Sequence, residues 1–251
     1  MKNTILKTVV LLAVILGGGA LLGVNAQSVS GSIANGSVTR GTAARATIVL
    51  SIPGGLHVNS NRPSGEYAIA TRALDNGALG IVIPHVDTAA EAREVVNRLK
   101  YPPIGHRSMG GIGPHYGLRS ASTGEAAQAL NAANLTIVML ETPTAIANAA
   151  EIAAVAGVDV LLIGTNDLCA EMGIPGDFGN DRVAEAYGAM IAAAKKHKKF
   201  PGMAGIYNEA IMPRYIEMGA RFILSGQDGA FVMAGATQRT GFLRKTFPGG
   251  G

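Results

Sequence analysis

Two acidic residues stand where an acid could hold a metal. Glu141 directly follows the apolar run 135–140 (LTIVML), and Asp167 follows the run 158–163 (VDVLLI) across Gly164, Thr165 and Asn166. If those runs are neighbouring strands, the two carboxylates converge on one edge of a common mouth. Two carboxylates completed by waters and a bidentate oxygen ligand suit a hard octahedral cation such as Mg²⁺ or Mn²⁺. The competing reading makes both residues helix caps, and it fits Asp167 better than Glu141. The loop Gly164-Thr165-Asn166-Asp167-Leu168 offers backbone N–H groups at a helix start, which suits a carboxylate or a phosphate. It lacks the glycine-lysine signature of a nucleotide loop. Arg107 sits in YPPIGHRSMGG (101–111), between a helix and the next strand. Prolines and glycines would hold its guanidinium where an oxyanion forms, and the alternative there is a loop salt bridge.

The elements that must position these residues follow from periodicity. Strands are predicted at 79–84, 135–140, 158–163, 202–206 and 221–224, with helices at 88–99, 144–156, 183–196 and 209–218. Near-continuous apolar strands alternating with helices indicate a parallel sheet covered on both faces. The repeat is that of a (β/α) barrel, in which chemistry sits on the loops after the strand C-termini. That rule selects His85, Asp87, Glu141, Asn166, Asp167, Tyr207, Asn208, Gln227 and Asp228.

The chain of 251 residues is 48% hydrophobic with no tryptophan and 34 glycines, so its core must be aliphatic and closely packed. The net charge of +4 does not point to nucleic acid, because the only dense basic run, 195–199, reads as a solvated helix end. The single cysteine, Cys169, excludes an intrachain disulfide and a multi-cysteine zinc site. Lys2 and Lys7 precede an apolar run over 8–22, and Val24-Asn25-Ala26 resembles a cleavage site, so residues 1–26 read as a secretory signal peptide cut after Ala26. The run is short and broken by glycine for a membrane anchor. The expectation is an exported, periplasmic chain with no stable anchor, and a cytoplasmic one if the N-terminus is a fusion artefact. Residues 27–71 read as a linker with one β segment (ATIVLSI, 46–52), residues 72–245 as the barrel region, and 246–251 as a glycine-rich tail.

Two resemblances bear on function. HVNSNRP (57–63), placed after SIPGGL, resembles part of the N-terminal domain of DsbD-type thiol:disulfide interchange proteins, whose redox cysteines are not present here. Far more specific is an ordered set: ALDNGALGIVIPHVDTAAEAREVV, YPPIGHRSMGG, ETPTAIANAAEIAAVAGVDVLLIGTNDLCAEMG and GARFILSGQD. Over residues from about 72 to 244 this resembles the HpcH/HpaI aldolase and citrate lyase β-subunit family.

The resemblance implies a TIM barrel, here incomplete at its N-terminal side, and a class II pyruvate-type aldolase. Such a lyase cleaves 4-hydroxy-2-oxo acids to pyruvate and an aldehyde. It further implies that Glu141 and Asp167 are ligands of a divalent metal, Mg or Mn. Arg107 would contact the keto oxygen, and Gly164, Thr165 and Asn166 would hold the pyruvate carboxylate through backbone amides. Unpaired strand edges of an incomplete barrel point to a homo-oligomer. The sequence departs from the family pattern in two places. The aspartate-histidine acid/base pair has no match, His57 reading as a turn residue while His85, His106 and His115 lie nearer the motifs, and Met139 occupies a position often held by glutamine. A non-catalytic exported 2-oxo acid binding protein, or an inactive truncated homologue, is the alternative reading. A redox accessory domain is argued against by the lack of paired cysteines.

Overall fold

The computed structural model describes residues 10–15, 44–46, 50–51, 65–110, 115 and 121–246. In these residues eight strands run in one sheet: β1 (Val10–Ile15), β2 (Ala44–Ala46), β3 (Leu50–Ser51), β4 (Gly80–Ile83), β5 (Leu135–Leu140), β6 (Val160–Gly164), β7 (Phe200–Ala204) and β8 (Phe222–Gln227). Their order is β2-β1-β8-β7-β6-β5-β4-β3, and every recorded pairing is parallel. All five strands expected from 79 onward are present, within about three residues of the expected bounds.

The N-terminal part differs from expectation. Val10–Ile15, inside the run read as a signal peptide, pairs with β8 and β2, and β3 pairs with β4. Three short strands thus occupy the side where the barrel was expected to be incomplete. Among the described residues no ladder joins β2 to β3. HVNSNRP and His57 lie outside the described residues, as does the tail 247–251.

Helices cover the sheet: α1 (Gly65–Asp75), α2 (Ala89–Leu99), α3 (Thr123–Ala133), α4 (Pro143–Ala147), α5 (Ala149–Ala153), α6 (Thr165–Glu171), α7 (Asp181–Lys196), α8 (Met212–Met218) and α9 (Asp228–Thr246). Helix α2 begins where its sequence says it should: Thr88 and Glu91 form a reciprocal capping box, and Ala89, Ala92, Val95, Val96 and Leu99 make one buried stripe. Helix α7 starts on the Asn180 cap and ends in Lys195 and Lys196, so the basic run does close a helix. The single helix expected over 144–156 is instead α4 and α5, broken at Asn148, whose side-chain amide donates to the Asp87 carbonyl at 2.8 Å. Helix α3 escaped the sequence reading because only its Ala127 is buried, leaving no apolar stripe to detect.

Strand alternation divides the core in two. Val82, Ile137, Met139, Val160, Leu162, Ala204, Phe222 and Leu224 pack together in the interior, while Ile81, Ile83, Val138, Leu140, Leu161 and Ile163 face the helices. Period-two side-chain direction fixes what comes next on the inner face. After Ile137 and Met139 it is Glu141, and after Val160 and Leu162 it is Gly164.

Candidate metal centre

Glu141 is 3% exposed at the C-terminal end of β5, directly above the apolar interior. Its Oε2 accepts the backbone N–H of His85 at 2.8 Å, and the His85 Nδ1 lies 3.5 Å from the same oxygen. The other side of the carboxylate faces Gly164. A Cβ built there would lie 2.5 Å from Oε1 and 2.7 Å from Cγ of Glu141, so glycine is required by close approach. Asp167, exposed in the first turn of α6, comes near enough to Glu141 to act on its carboxyl.

Burial pushes the Glu141 carboxyl up from 4.5 to about 8. The His85 N–H opposes that rise, while Asp167 and the charge of Asp87 add to it. The physical content is a buried acid beside an exposed one, whose charges repel and which a proton or a cation would neutralise. Neither acid caps a helix through its side chain: Thr142 caps α4, and Gly164 holds the cap position of α6 with no side-chain bond. Asp87 is tied down separately, its carboxylate accepting from the Thr142 hydroxyl at 2.6 Å.

The loop after β6 is pinned from below. The Thr165 side chain is buried and donates from Oγ1 to the Ala204 carbonyl at 2.6 Å, while the Tyr187 hydroxyl lies 2.8 Å away. Tyr187 in turn stacks on Tyr215 with ring centroids 4.2 Å apart. Thr165 therefore has only its backbone to offer a ligand. Asn166 is exposed and lies against Gly205, where a φ of +85° and a 2.8 Å approach of Asn166 Nδ2 to the Cβ position both demand glycine. Thus Glu141, Asp167, Gly164, Thr165 and Asn166 come together at the strand C-termini, with His85 beside them.

Arg107 does not join them. Its Nη2 donates to Asp75 Oδ1, and its guanidinium carbon lies 4.5 Å from the Tyr101 ring centroid. The Arg107 backbone N–H donates to the Lys100 carbonyl at 2.9 Å. The Lys100 ammonium is bonded to the carbonyls of Asn131 and Asn134 and to Asp159 at 3.2 Å. Asn134 and Asp159 immediately precede β5 and β6, so this cluster lies at the strand N-termini. Six residues of β5, roughly 20 Å at about 3.3 Å each, separate the two ends. The expectation that Arg107 meets the keto oxygen is corrected accordingly. A signal was available: Arg107 lies in a loop from helix to strand, and in barrels those loops fall opposite the strand C-termini. His115, bonded to the Ala78 carbonyl at 3.0 Å, and His106, bonded to Asn97, belong to that far end too.

The backbone role of His85 was not foreseen. Its position just past a strand placed it among the candidates, but its φ of +51° shows only in three dimensions. Among the described residues no set of three or more His, Cys, Asp or Glu forms a metal cage. A cation here would complete its sphere with water and ligand oxygens, the usual pattern for a hard metal that keeps open positions.

The model of the HpcH/HpaI aldolase/citrate lyase family matches residues 53–234. The match takes in 57–63, and the likeness of that stretch to DsbD-type proteins finds no support. The chain is 43% identical over 173 residues to a 4-hydroxy-4-methyl-2-oxoglutarate aldolase of Hapsidospora irregularis, across 68% of this chain and 64% of the relative. It is 34% identical over 198 residues to a hydroxypyruvate/pyruvate aldolase of Delftia acidovorans, across 77% and 71%. The chain thus spans less than two thirds of the Hapsidospora enzyme's length. A crystal structure of an HpcH/HpaI aldolase from Desulfitobacterium hafniense superposes with a TM-score of 0.73 at 25% identity, over 97% of this chain and 95% of that one.

Proposed function

We propose that this chain, which belongs to the HpcH/HpaI aldolase/citrate lyase family, is a carbon–carbon lyase of the class II type that cleaves 4-hydroxy-2-oxo acids to pyruvate and an aldehyde. The observation that carries the reading is the buried carboxyl of Glu141, closed in by Gly164, with the exposed Asp167 beside it and no Lys or Arg partner among the described residues. The relatives, named for 2-oxo acid aldolase activities, support the substrate class.

The donor set fits a divalent ion such as Mg²⁺ or Mn²⁺, which Glu141 and Asp167 would hold by oxygen alone. When bound, such an ion supplies Lewis acidity at the 2-oxo oxygen. The chain does the rest. Backbone N–H groups of Gly164, Thr165 and Asn166 bind the substrate carboxylate, held in place by the buried anchor of Thr165 on Ala204 and Tyr187. Met139, Leu162 and Ala204 form a dry floor that strengthens every charge interaction above it. Breaking the C3–C4 bond leaves its electron pair on the enolate of pyruvate, the 4-hydroxyl gives up its proton to solvent as the aldehyde forms, and a proton from solvent returns to C3 to complete pyruvate, so that no net proton is gained or lost. Arg107 has no part in this.

Pyruvate release from a 4-hydroxy-2-oxo acid is the test. It is expected with Mg²⁺ or Mn²⁺ and lost with a chelator; turnover that persists without metal would sink the reading. Binding of pyruvate with metal but no turnover would favour a binding protein instead.

The cyclic order of the strands supports a ring of eight, closed by N-terminal residues. In this reading Val10–Ile15 stays in the chain as β1, which a cut after Ala26 would remove. What supports retention, and with it a cytoplasmic enzyme, is the parallel ladder of β1 with β8. Mass spectrometry of the chain from fractionated cells tests it, and a periplasmic product beginning at Gln27 restores the exported form. Among the described residues no helix is long and apolar enough to cross a membrane. A homo-oligomer is part of the same reading: α9 exposes Phe231, Val232, Met233, Phe242 and Leu243, more apolar surface than a lone helix carries without a partner.

A further inference from the structure

We propose that His85 is a positioning residue for Glu141, and that it acts through its backbone N–H rather than its imidazole. The inference rests on the reading of Glu141 as a metal ligand. His85 is one of only two non-glycine residues with positive φ among those described, at +51°. The other, Lys198, sits in the turn after α7, where a left-handed residue ends a helix in the ordinary way. His85 has no helix to end. It follows β4 by two residues; its N–H donates to Oε2 of Glu141 at 2.8 Å, and the left-handed φ turns the chain beyond it so that the Val86 N–H reaches the Met139 carbonyl at 3.1 Å. Residues held in that region without local need concentrate at functional sites, where surrounding contacts over-determine them.

The consequence is geometric. A glutamate carboxylate at a strand end has three rotatable side-chain bonds to settle before it can serve a cation. Here Oε2 is fixed by the His85 N–H, and Oε1 lies against the space that Gly164 leaves by having no side chain. Glu141 is thus held from both sides before any ion arrives, and Asp167 approaches the same carboxylate. Preorganisation of this kind places ligand oxygens without reorganisation on binding, and loss of such supporting bonds weakens metal binding by about 10–100-fold. Histidine suits the position because, with Asn and Asp, it tolerates the left-handed region better than most residues. The imidazole, 3.5 Å from Oε2, is beyond a good hydrogen bond.

The test is a series at position 85 ordered by tolerance of positive φ, read by calorimetric Mn²⁺ binding to the full chain without substrate. His85→Gly and His85→Asn are expected to stay within about threefold of the parent chain, and His85→Val to bind roughly tenfold or more weakly. Should the Val variant not fold, His85→Ala is expected to fall between. A second readout needs no metal: the amide proton of residue 85 should lie downfield and exchange slowly in the parent chain, and lose both properties in Glu141→Ala. The proposal is overturned if Gly and Asn weaken Mn²⁺ binding as much as Val does, because the imidazole is then what matters. It is equally overturned if the residue 85 amide is indifferent to Glu141→Ala. A parent chain that binds no Mn²⁺ sinks the metal centre alone, and the amide measurement then decides the positioning by itself.

Discussion

The two ends of the sheet bury charge in opposite ways. At the strand N-termini, Lys100 is 3% exposed yet spends its ammonium on two carbonyls and Asp159, while Arg107 leans on Asp75 and the Tyr101 ring. At the strand C-termini, Glu141 is as deeply buried but faces another acid. The Lys100 ammonium, with its partners in place, ties a loop to the strands and leaves little for a ligand to improve, whereas Arg107 is bonded through Nη2 alone and keeps Nε and Nη1 buried without a hydrogen-bond partner. A buried acid beside another acid can ionise only at a cost in free energy, which is relieved when something positive arrives. The first end is built for stability, the second for binding.

That contrast can be broken most severely at the mouth. Glu141→Ala or Asp167→Ala is expected to lower pyruvate release from a 4-hydroxy-2-oxo acid by about 10³-fold or more, since each removes one of the two acids proposed to hold the metal. Thermal unfolding of the metal-free variants should be unchanged or improved. Wild-type turnover in either variant would mean that the acids are not the centre.

At the other end the balance reverses. Lys100→Met should lose roughly 3 kcal/mol in urea unfolding, because Asp159 and two carbonyls are left without their cation. Arg107→Ala is expected to cost about 2 kcal/mol by the same measurement. In both, kcat/KM of the folded fraction should hold. A selective loss of kcat in Arg107→Ala, with stability intact, would return that arginine to the active site.

The pH response sharpens the comparison further. Because folding raises the Glu141 carboxyl from 4.5 to about 8, the metal-free native chain binds more protons than the unfolded chain between those values. Its stability from this group is complete below pH 4.5 and is lost as pH rises through about 8. Metal binding displaces that proton, so the apparent Mn²⁺ affinity should climb by about tenfold per pH unit toward pH 8 and then level off. A flat affinity between pH 6 and 8 would show that the acid is already ionised.

The smallest effect belongs to the pin beneath the loop. Thr165→Val removes the hydroxyl between Ala204 and Tyr187 and should lose about 1–2 kcal/mol of stability, with a modest rise in KM for the 2-oxo acid. An unchanged KM would mean that the loop amides need no such anchor.

What was legible in the sequence was what local pattern decides. Apolar runs gave the strands from β4 to β8, periodicity gave the helix that is α2, and its place directly after an apolar run put Glu141 among the residues at the strand C-termini. The position of Asp167 just after β6 was equally plain, because it depends on only a few residues of chain. The local pattern failed where two distant segments had to agree. The helix over 144–156 was broken by a bond from Asn148 to Asp87, 61 residues away in sequence. Arg107 went to Asp75, 32 residues back, and not to the mouth.

By itself, then, the sequence determined which side chains would point into the barrel and which acids would stand at strand ends, since backbone periodicity is a property of neighbours. Only the tertiary structure decided which end of the sheet each charged loop reached, and that the Glu141 carboxylate would be fixed by an N–H from His85, 56 residues away. Those are matters of how strands stack side by side, and no run of adjacent residues encodes them.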